Sequence, residues 1–107
     1  MRRKPNAPAS VFAALGDETR LGIVVALASG GPASIARLTE GSTVTRQAVT
    51  KHLGVLHRAG LVRGKRRGRE RLWQLESTRL ESARHYLSLI STQWDDALGR
   101  LRRLVEE

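Results

Sequence analysis

Arg46, Gln47, Thr50 and Lys51 fall at spacings that place them on one side of a helix, with Thr45 before them and Arg58 three turns on. Those side-chain types are the ones that read base edges. Arg and Lys donate to guanine O6 and N7, Gln pairs bidentately with adenine, and the Thr methyl can touch thymine. A second group follows at once: Arg58, Arg63, Lys65, Arg66, Arg67, Arg69 and Arg71 are seven cations set against Glu70 alone. Cations this dense suit a phosphate backbone. Catalytic chemistry finds no comparable set. Asp95 and Asp96 are adjacent, so on a helix they point about 100° apart and cannot share a substrate proton. Arg67-Gly68-Arg69 lacks the glycine-rich lead and Lys-Ser/Thr of a phosphate-binding loop. No enzyme, and no cofactor, is expected.

Metal chemistry is equally thin. The 107 residues include no cysteine, which removes disulfides, thiolate metal sites and cysteine nucleophiles together. Glu81 and His85 are four apart and could share a helical face, but no second histidine follows them; His52 and His57 lie elsewhere. A lone His beside a Glu reads as a surface pair, and His52 as a packed or hydrogen-bonded helix residue. No metal site is expected.

The charge total agrees with a polyanion partner. Lys and Arg number 19 against 10 Asp and Glu, for a net charge of +9 and a pI near 11.5. The distribution is uneven: residues 1–75 hold 14 basic and 4 acidic side chains, residues 76–107 hold 5 and 6. Membrane binding is the weaker alternative, because the longest apolar-rich stretch, Leu21 to Ala28, is far short of the roughly 18 residues that span a bilayer. Met1-Arg2-Arg3-Lys4 is followed by Pro5, Asn6, Ala7 and Pro8 rather than by an apolar run, so no export signal is read and a cytoplasmic location is expected.

The elements that must position these groups can be read from punctuation and period. Pro8 suits the first turn of a helix through Val11, Phe12 and Leu15 that Gly16 ends. Asp17 caps a second, whose apolar face is read as Leu21, Val24, Val25 and Ala28 before Gly30-Gly31-Pro32. Ser34 caps a short third helix with Ile35 and Leu38, leaving through Glu40-Gly41-Ser42. Thr45 caps a fourth, with Ala48, Val49, His52, Leu53, Leu56 and Ala59 on one face and Gly60 after it. Two short helices joined by a polar turn, the second apolar on one side and basic on the other, make a helix-turn-helix at residues 34–59.

From Leu61 the period changes. Residues 61–66 and 69–75 flank Arg67-Gly68, where glycine supplies the positive φ of a hairpin turn. The hairpin at 61–75 reads as a wing whose tip holds Lys65, Arg66, Arg67 and Arg69. The solvated-edge alternative, charges that merely discourage aggregation, stays open here. From 78 to 107, Leu80, Ala83, Leu87, Ile90, Trp94, Ala97, Leu101 and Leu104 recur at alternating intervals of three and four, a heptad seam. About 30 residues of helix span roughly 45 Å, more than the preceding residues could cover. A second copy is the simplest partner, with packing back on the chain's own core as the alternative.

Three blocks carry a family resemblance: Ala14-Leu15-Gly16-Asp17-Glu18-Thr19-Arg20-Leu21, the run from Arg46 to Val62, and Gly68-Arg69. Over residues 11–75 the chain resembles the ArsR-type (arsenic-resistance repressor) winged-helix regulators. The resemblance implies that Thr45, Arg46, Gln47, Thr50 and Lys51 face DNA and that the terminal helices, Phe12 included, form a dimer interface. Glu18 stands where that family usually has proline and Trp73 where tyrosine is common, and the family's cysteine metal sites cannot exist here.

The expected fold class is therefore mainly α with a small β-hairpin, a winged helix-turn-helix in the order α-α-α-α-β-β-α. It is read as one domain, with residues 1–7 as a flexible basic arm and 78–107 as a dimerisation helix. The expected function is sequence-specific binding of double-stranded DNA by a homodimer, most simply as a repressor. A sequence-tolerant architectural nucleic-acid binder and a protein-interaction module built on the heptad helix are the alternatives.

Overall fold

The computed structural model describes residues 8–106; the basic arm expected at residues 1–7 lies outside them. Five helices and one hairpin follow in order: α1 (Pro8–Leu15), α2 (Glu18–Gly30), α3 (Ile35–Leu38), α4 (Arg46–Arg58), β1 (Val62–Arg67), β2 (Glu70–Leu75) and α5 (Ser77–Glu106). Each of the three caps read from sequence closes its helix. The Asp17 carboxylate accepts from the Arg20 N–H at 3.0 Å, Ser34 Oγ from Arg37 at 3.2 Å and Thr45 Oγ1 from Ala48 at 3.1 Å. These bonds occupy backbone donors that the first turn leaves without partners.

The exit from α4 fixes where the wing begins. Gly60 has φ 78°, Leu61 N–H donates to Leu56 O at 2.9 Å and Gly60 N–H to His57 O at 2.9 Å. This is a Schellman motif, which needs a left-handed residue at Gly60. The chain reverses there and drops Leu61 and Val62 straight into the core.

β1 and β2 pair antiparallel from Val62↔Leu75 to Arg67↔Glu70. The turn is therefore Gly68-Arg69, one residue later than expected, because Arg67 stays in the ladder opposite Glu70. Gly68, at φ 62°, holds the first central position of a two-residue turn, as in type II′. A further strand fragment escaped the sequence reading: Ala33 exchanges both backbone hydrogen bonds with Trp73, at 2.9 and 2.8 Å. One residue after Pro32 is too short a segment to show any period.

Leu53, Leu56 and Leu61 are fully buried, with Val11 and Val62 beside them, and Ala14, Ile23, Val24, Leu27, Ala33, Val49, Ala59, Trp73 and Ala83 complete the core. The face expected for α2 is corrected. Ile23, Val24 and Leu27 are buried, whereas Leu21 and Val25 are 48% and 56% exposed and Ala28 is exposed as well. The run Leu21 to Ala28 is apolar nearly all round, so its period has no unique phase. Packing on α1, α4 and β2 chooses the side.

α5 is 30 residues long and leaves the body of the molecule, whose extents are 67 × 35 × 22 Å. Only its first turns pack on the chain itself, against α1: Ala83 is buried and Leu80 partly so. Leu87, Ile90, Trp94, Leu101 and Leu104 are all exposed. Leu80 and Ala83 of the expected seam thus pack on the chain's own core, and from Leu87 onward the seam does not.

Because Leu53 is enclosed and Leu21 is not, Leu53→Ala is expected to lower stability by about 2–5 kcal/mol and Leu21→Ala by less than about 1 kcal/mol. Urea denaturation of the two variants checks the difference.

Candidate nucleic-acid interface

α4 is anchored on one side and open on the other. Val49, Leu53 and Leu56 are buried, while Arg46, Gln47, Thr50, Lys51 and Arg58 are all exposed. Gln47, Lys51 and Arg58 follow one another along the outermost ridge, diametrically away from the buried face. Thr45, Gln47, Ala48, Thr50 and Lys51 line a shallow surface depression. Thr50 Oγ1 donates to Arg46 O at 2.8 Å, which engages its hydroxyl and leaves the methyl to offer outward. Gly54 sits on the same ridge, where a Cβ would lie 3.5 Å from Arg58 Nη1. Arg58 thus folds back over the helix at a position the sequence reading passed over. The available signal was a glycine inside a strongly periodic helix.

A polar brace ties α4 to the rest. Arg20 Nε donates to Ala14 O at 2.6 Å, and its Nη1 lies 3.3 Å from His52 Nδ1. The Asp17 carboxylate is 3.9 Å from the same His52 nitrogen. One arginine therefore joins the end of α1, the start of α2 and the middle of α4. His52 has the packed, hydrogen-bonded role expected of it; Arg20 was missed, since nothing local marks it apart from other arginines. The Asp17 carboxyl is held below the usual carboxylate range, first by the Arg20 backbone N–H and then by the nearby charges of Arg20 and His52, against some desolvation.

In the wing, alternation along the paired strands separates two faces. Val62, Gly64, Arg66, Arg71, Trp73 and Leu75 share the inner face, since Val62 and Trp73 are core residues; the His57 ring of α4 meets the Trp73 ring edge-on at 6.3 Å between centroids. Arg63, Lys65, Arg67, Glu70, Leu72 and Gln74 take the outer face. Arg69 lies in the turn. Lys65, Arg66, Arg67 and Arg69 are all exposed, yet the register divides them between two faces and a turn. Arg63 is engaged within the protein: Nε is 3.5 Å from the Glu76 carboxylate, and Gln74, its amide oriented with the oxygen toward Arg63, accepts from Nε at 2.8 Å and Nη2 at 2.9 Å.

A second, apolar surface runs along α5. Phe12 is half-buried, its ring 6.2 Å from that of Tyr86 on the same chain. Leu80 and Ala83 are already covered by the chain's own core, so the open stretch begins at Tyr86 rather than at Leu80. Beyond the exposed seam residues Leu87, Ile90, Trp94, Leu101 and Leu104, with Ala97 half-buried among them, it also exposes Leu89, Leu98 and Val105, which the heptad reading did not include. Glu81 pairs with Arg84 at 3.7 Å. Among the described residues no group of three His, Cys, Asp or Glu could hold a metal ion, and no helix is long and apolar enough to cross a membrane.

Residues 15–65 match the family described as a helix-turn-helix domain. The HTH-type transcriptional regulator Rv2034 of Mycobacterium tuberculosis is 36% identical over 100 residues, covering 94% of this chain and 90% of that protein. An ArsR-like transcriptional regulator from Rhodococcus sp. RHA1 superposes with a TM-score of 0.75 at 36% identity, over 91% of each chain. The chain belongs to the ArsR family. It is a DNA-binding transcription regulator with a winged helix-turn-helix, and it is an ArsR protein without a cysteine. The homodimeric winged helix-turn-helix domain Mb0332 of Mycobacterium bovis, at 23% identity and a TM-score of 0.62 over 84% of this chain and 80% of that one, shares the fold.

The Asp17 cap gives a pH signature. Its folded-state pKa is depressed, so its contribution is present above the unfolded value and is lost as pH falls through the folded one. Asp17→Asn keeps a capping side chain without the charge. The variant is expected to melt below the wild type at neutral pH, with the gap closing as pH drops under the ordinary value of 3.8; thermal melts across pH check it.

Proposed function

We propose that this ArsR-family chain is a sequence-specific repressor that binds a two-fold operator as a homodimer. The observation that carries the reading is the open ridge of α4, where Gln47, Lys51 and Arg58 point away from a face whose Leu53 and Leu56 are fully buried. A reading helix needs that rigidity, because base contacts are made by side chains whose helix cannot roll. Thr45, Arg46, Gln47, Thr50, Lys51 and Arg58 are assigned to the major groove, and Lys65, Arg66, Arg67 and Arg69 to the adjoining backbone. Residues 34–59 and 61–75 then work as one footprint inside a single domain that includes the helix at 78–107. Its action is binding, without a catalytic step, in the cytoplasm.

The apolar surface of α5 supports the second copy. Leu87, Ile90, Trp94, Leu101 and Leu104 are exposed together with Tyr86, Leu89, Leu98 and Val105, a contiguous patch of the kind monomers rarely leave open. The patch is broader than a strict heptad seam, which suits burial in a helical bundle better than in a two-stranded coil. Phe12, beside Tyr86, brings α1 to its margin. The homodimer known for Mb0332 is in keeping with this. Two-fold pairing sets the two α4 helices on successive major-groove faces, about 34 Å apart, and a repressor needs nothing more than to occupy such a site.

Fluorescence anisotropy on duplex from upstream of its own gene and on a scrambled duplex tests the reading. Preference for the native duplex by roughly a thousandfold is expected, with Gln47→Ala and Arg46→Ala changing base preference. Equal affinity for both would leave a sequence-tolerant binder or an operator elsewhere in the genome. Leu87→Glu with Ile90→Glu is expected to convert the dimer to monomer in sedimentation equilibrium and to weaken operator binding; a variant that stays dimeric refutes the interface.

A further inference from the structure

Arg71 belongs to the basic run of residues 58–71 but not to the wing-tip cations assigned to the DNA backbone, and its surroundings are unlike theirs. Its guanidinium carbon sits 4.8 Å from the centroid of the Trp73 ring. Gly64, paired with Trp73 across the hairpin, makes room for it: a Cβ there would collide with Arg71 Nε and lie 3.1 Å from its Cζ. The Trp73 platform is itself fixed, 8% exposed and hydrogen-bonded through both backbone groups to Ala33. Arg71 is exposed, and it has no hydrogen-bond or ion-pair partner among the described residues. Its donors are oriented and unengaged.

The register adds a second cation beside it. Arg66 stands directly opposite Arg71. Because Trp73 directs its backbone bonds to Ala33, Gly64↔Trp73 is a non-hydrogen-bonded pair, and so, two residues on, is Arg66↔Arg71. Side chains approach closest in that type of pair, and like charges placed there are destabilising. Among the described residues no carboxylate pairs with them: Glu70 faces the outer side opposite Arg67, and Glu76 is engaged with Arg63. The inner face of the wing, the face whose Trp73 meets His57 of α4, thus carries two adjacent guanidinium groups with no ion-pair partner among the described residues.

We propose that Arg71, seated on Trp73 across Gly64, forms with Arg66 a preset clamp for one DNA phosphate between the wing and the reading helix. An anion between them removes the like-charge penalty. Stacking fixes the planar guanidinium beforehand, so less side-chain freedom is lost on binding. Lysine could supply the charge but not the planar seat. The clamp rests on the reading of the hairpin as a DNA-contacting wing.

The test is the salt dependence of anisotropy-measured binding to a mixed-sequence duplex, for wild type, Arg71→Ala, Arg71→Lys, Gly64→Ala and Arg67→Ala, with a thermal melt of each. The clamp requires Arg71→Ala to reduce the slope of log K against log salt by about one per protomer. Arg71→Lys keeps the slope but binds several-fold more weakly. Gly64→Ala, which changes no charge and displaces only the end of a flexible side chain, weakens binding likewise while melting near the wild type. If Arg71→Ala and Gly64→Ala both bind as wild type while Arg67→Ala lowers the slope, the clamp is refuted and the wing stands. If Arg71→Ala melts earlier but keeps the wild-type slope, Arg71 is only packing, which also refutes it. A wild type without salt-dependent binding overturns the wing reading and the clamp together.

Discussion

Everything this protein presents to a partner depends on how firmly α4 is held. Leu53 and Leu56 have no exposed surface, and Val49 and Ala59 are nearly as enclosed. Burying a leucine contributes about 1.5–3 kcal/mol, so rolling α4 to turn a different ridge outward would give up several such contributions at once. The Thr45 cap fixes where the helix starts and the Gly60 reversal where it stops. Between those limits Arg20 links it to the ends of α1 and α2. The polar ridge is therefore a fixed template, and its side chains alone remain to adapt.

The same economy of anchoring governs the wing. A two-stranded hairpin by itself is marginal in water, and this one is secured at its base: Val62 and Trp73 enter the core and Ala33 adds a third backbone partner to Trp73. Burial ends abruptly along both strands, leaving residues 65–71 exposed. Trp73 is the hinge between these regimes, buried on the core side and supporting Arg71 on the other. Its Nε1 is enclosed without a hydrogen-bond partner, a local cost offset by the area the ring removes from water.

α5 follows a different logic. Its first turns belong to the chain's own core and the remainder to no part of it, so the helix carries apolar area that folding alone cannot cover. That deficit is what association would relieve, and it couples the proposed assembly to the placement of the reading helices. Phe12 and Tyr86 lie at the junction of α1 and α5, where the core ends and the open surface begins.

The sequence by itself determined the elements and their order, because these rest on local signals. Asp17, Ser34 and Thr45 each satisfy backbone donors within their own first turn, and the strongly one-sided α4 admits a single phase. Thr45, Arg46, Gln47, Thr50, Lys51 and Arg58 could be grouped on its open side for the same reason. Three features needed the tertiary structure. The buried side of α2 was undetermined because an apolar run such as Leu21 to Ala28 offers a core residue at every phase, and only its neighbours choose Ile23, Val24 and Leu27. The wing's turn lies one residue later than expected, which moves each cross-strand partner by two positions and keeps the faces: Arg66 stands opposite Arg71 instead of Arg69, and that is why Arg66 and Arg71 could not be paired from the sequence. Arg20 and Gly64 owe their roles to contacts made through space with other elements, which no local pattern encodes, whereas Gly54 answers to Arg58 one turn on in its own helix.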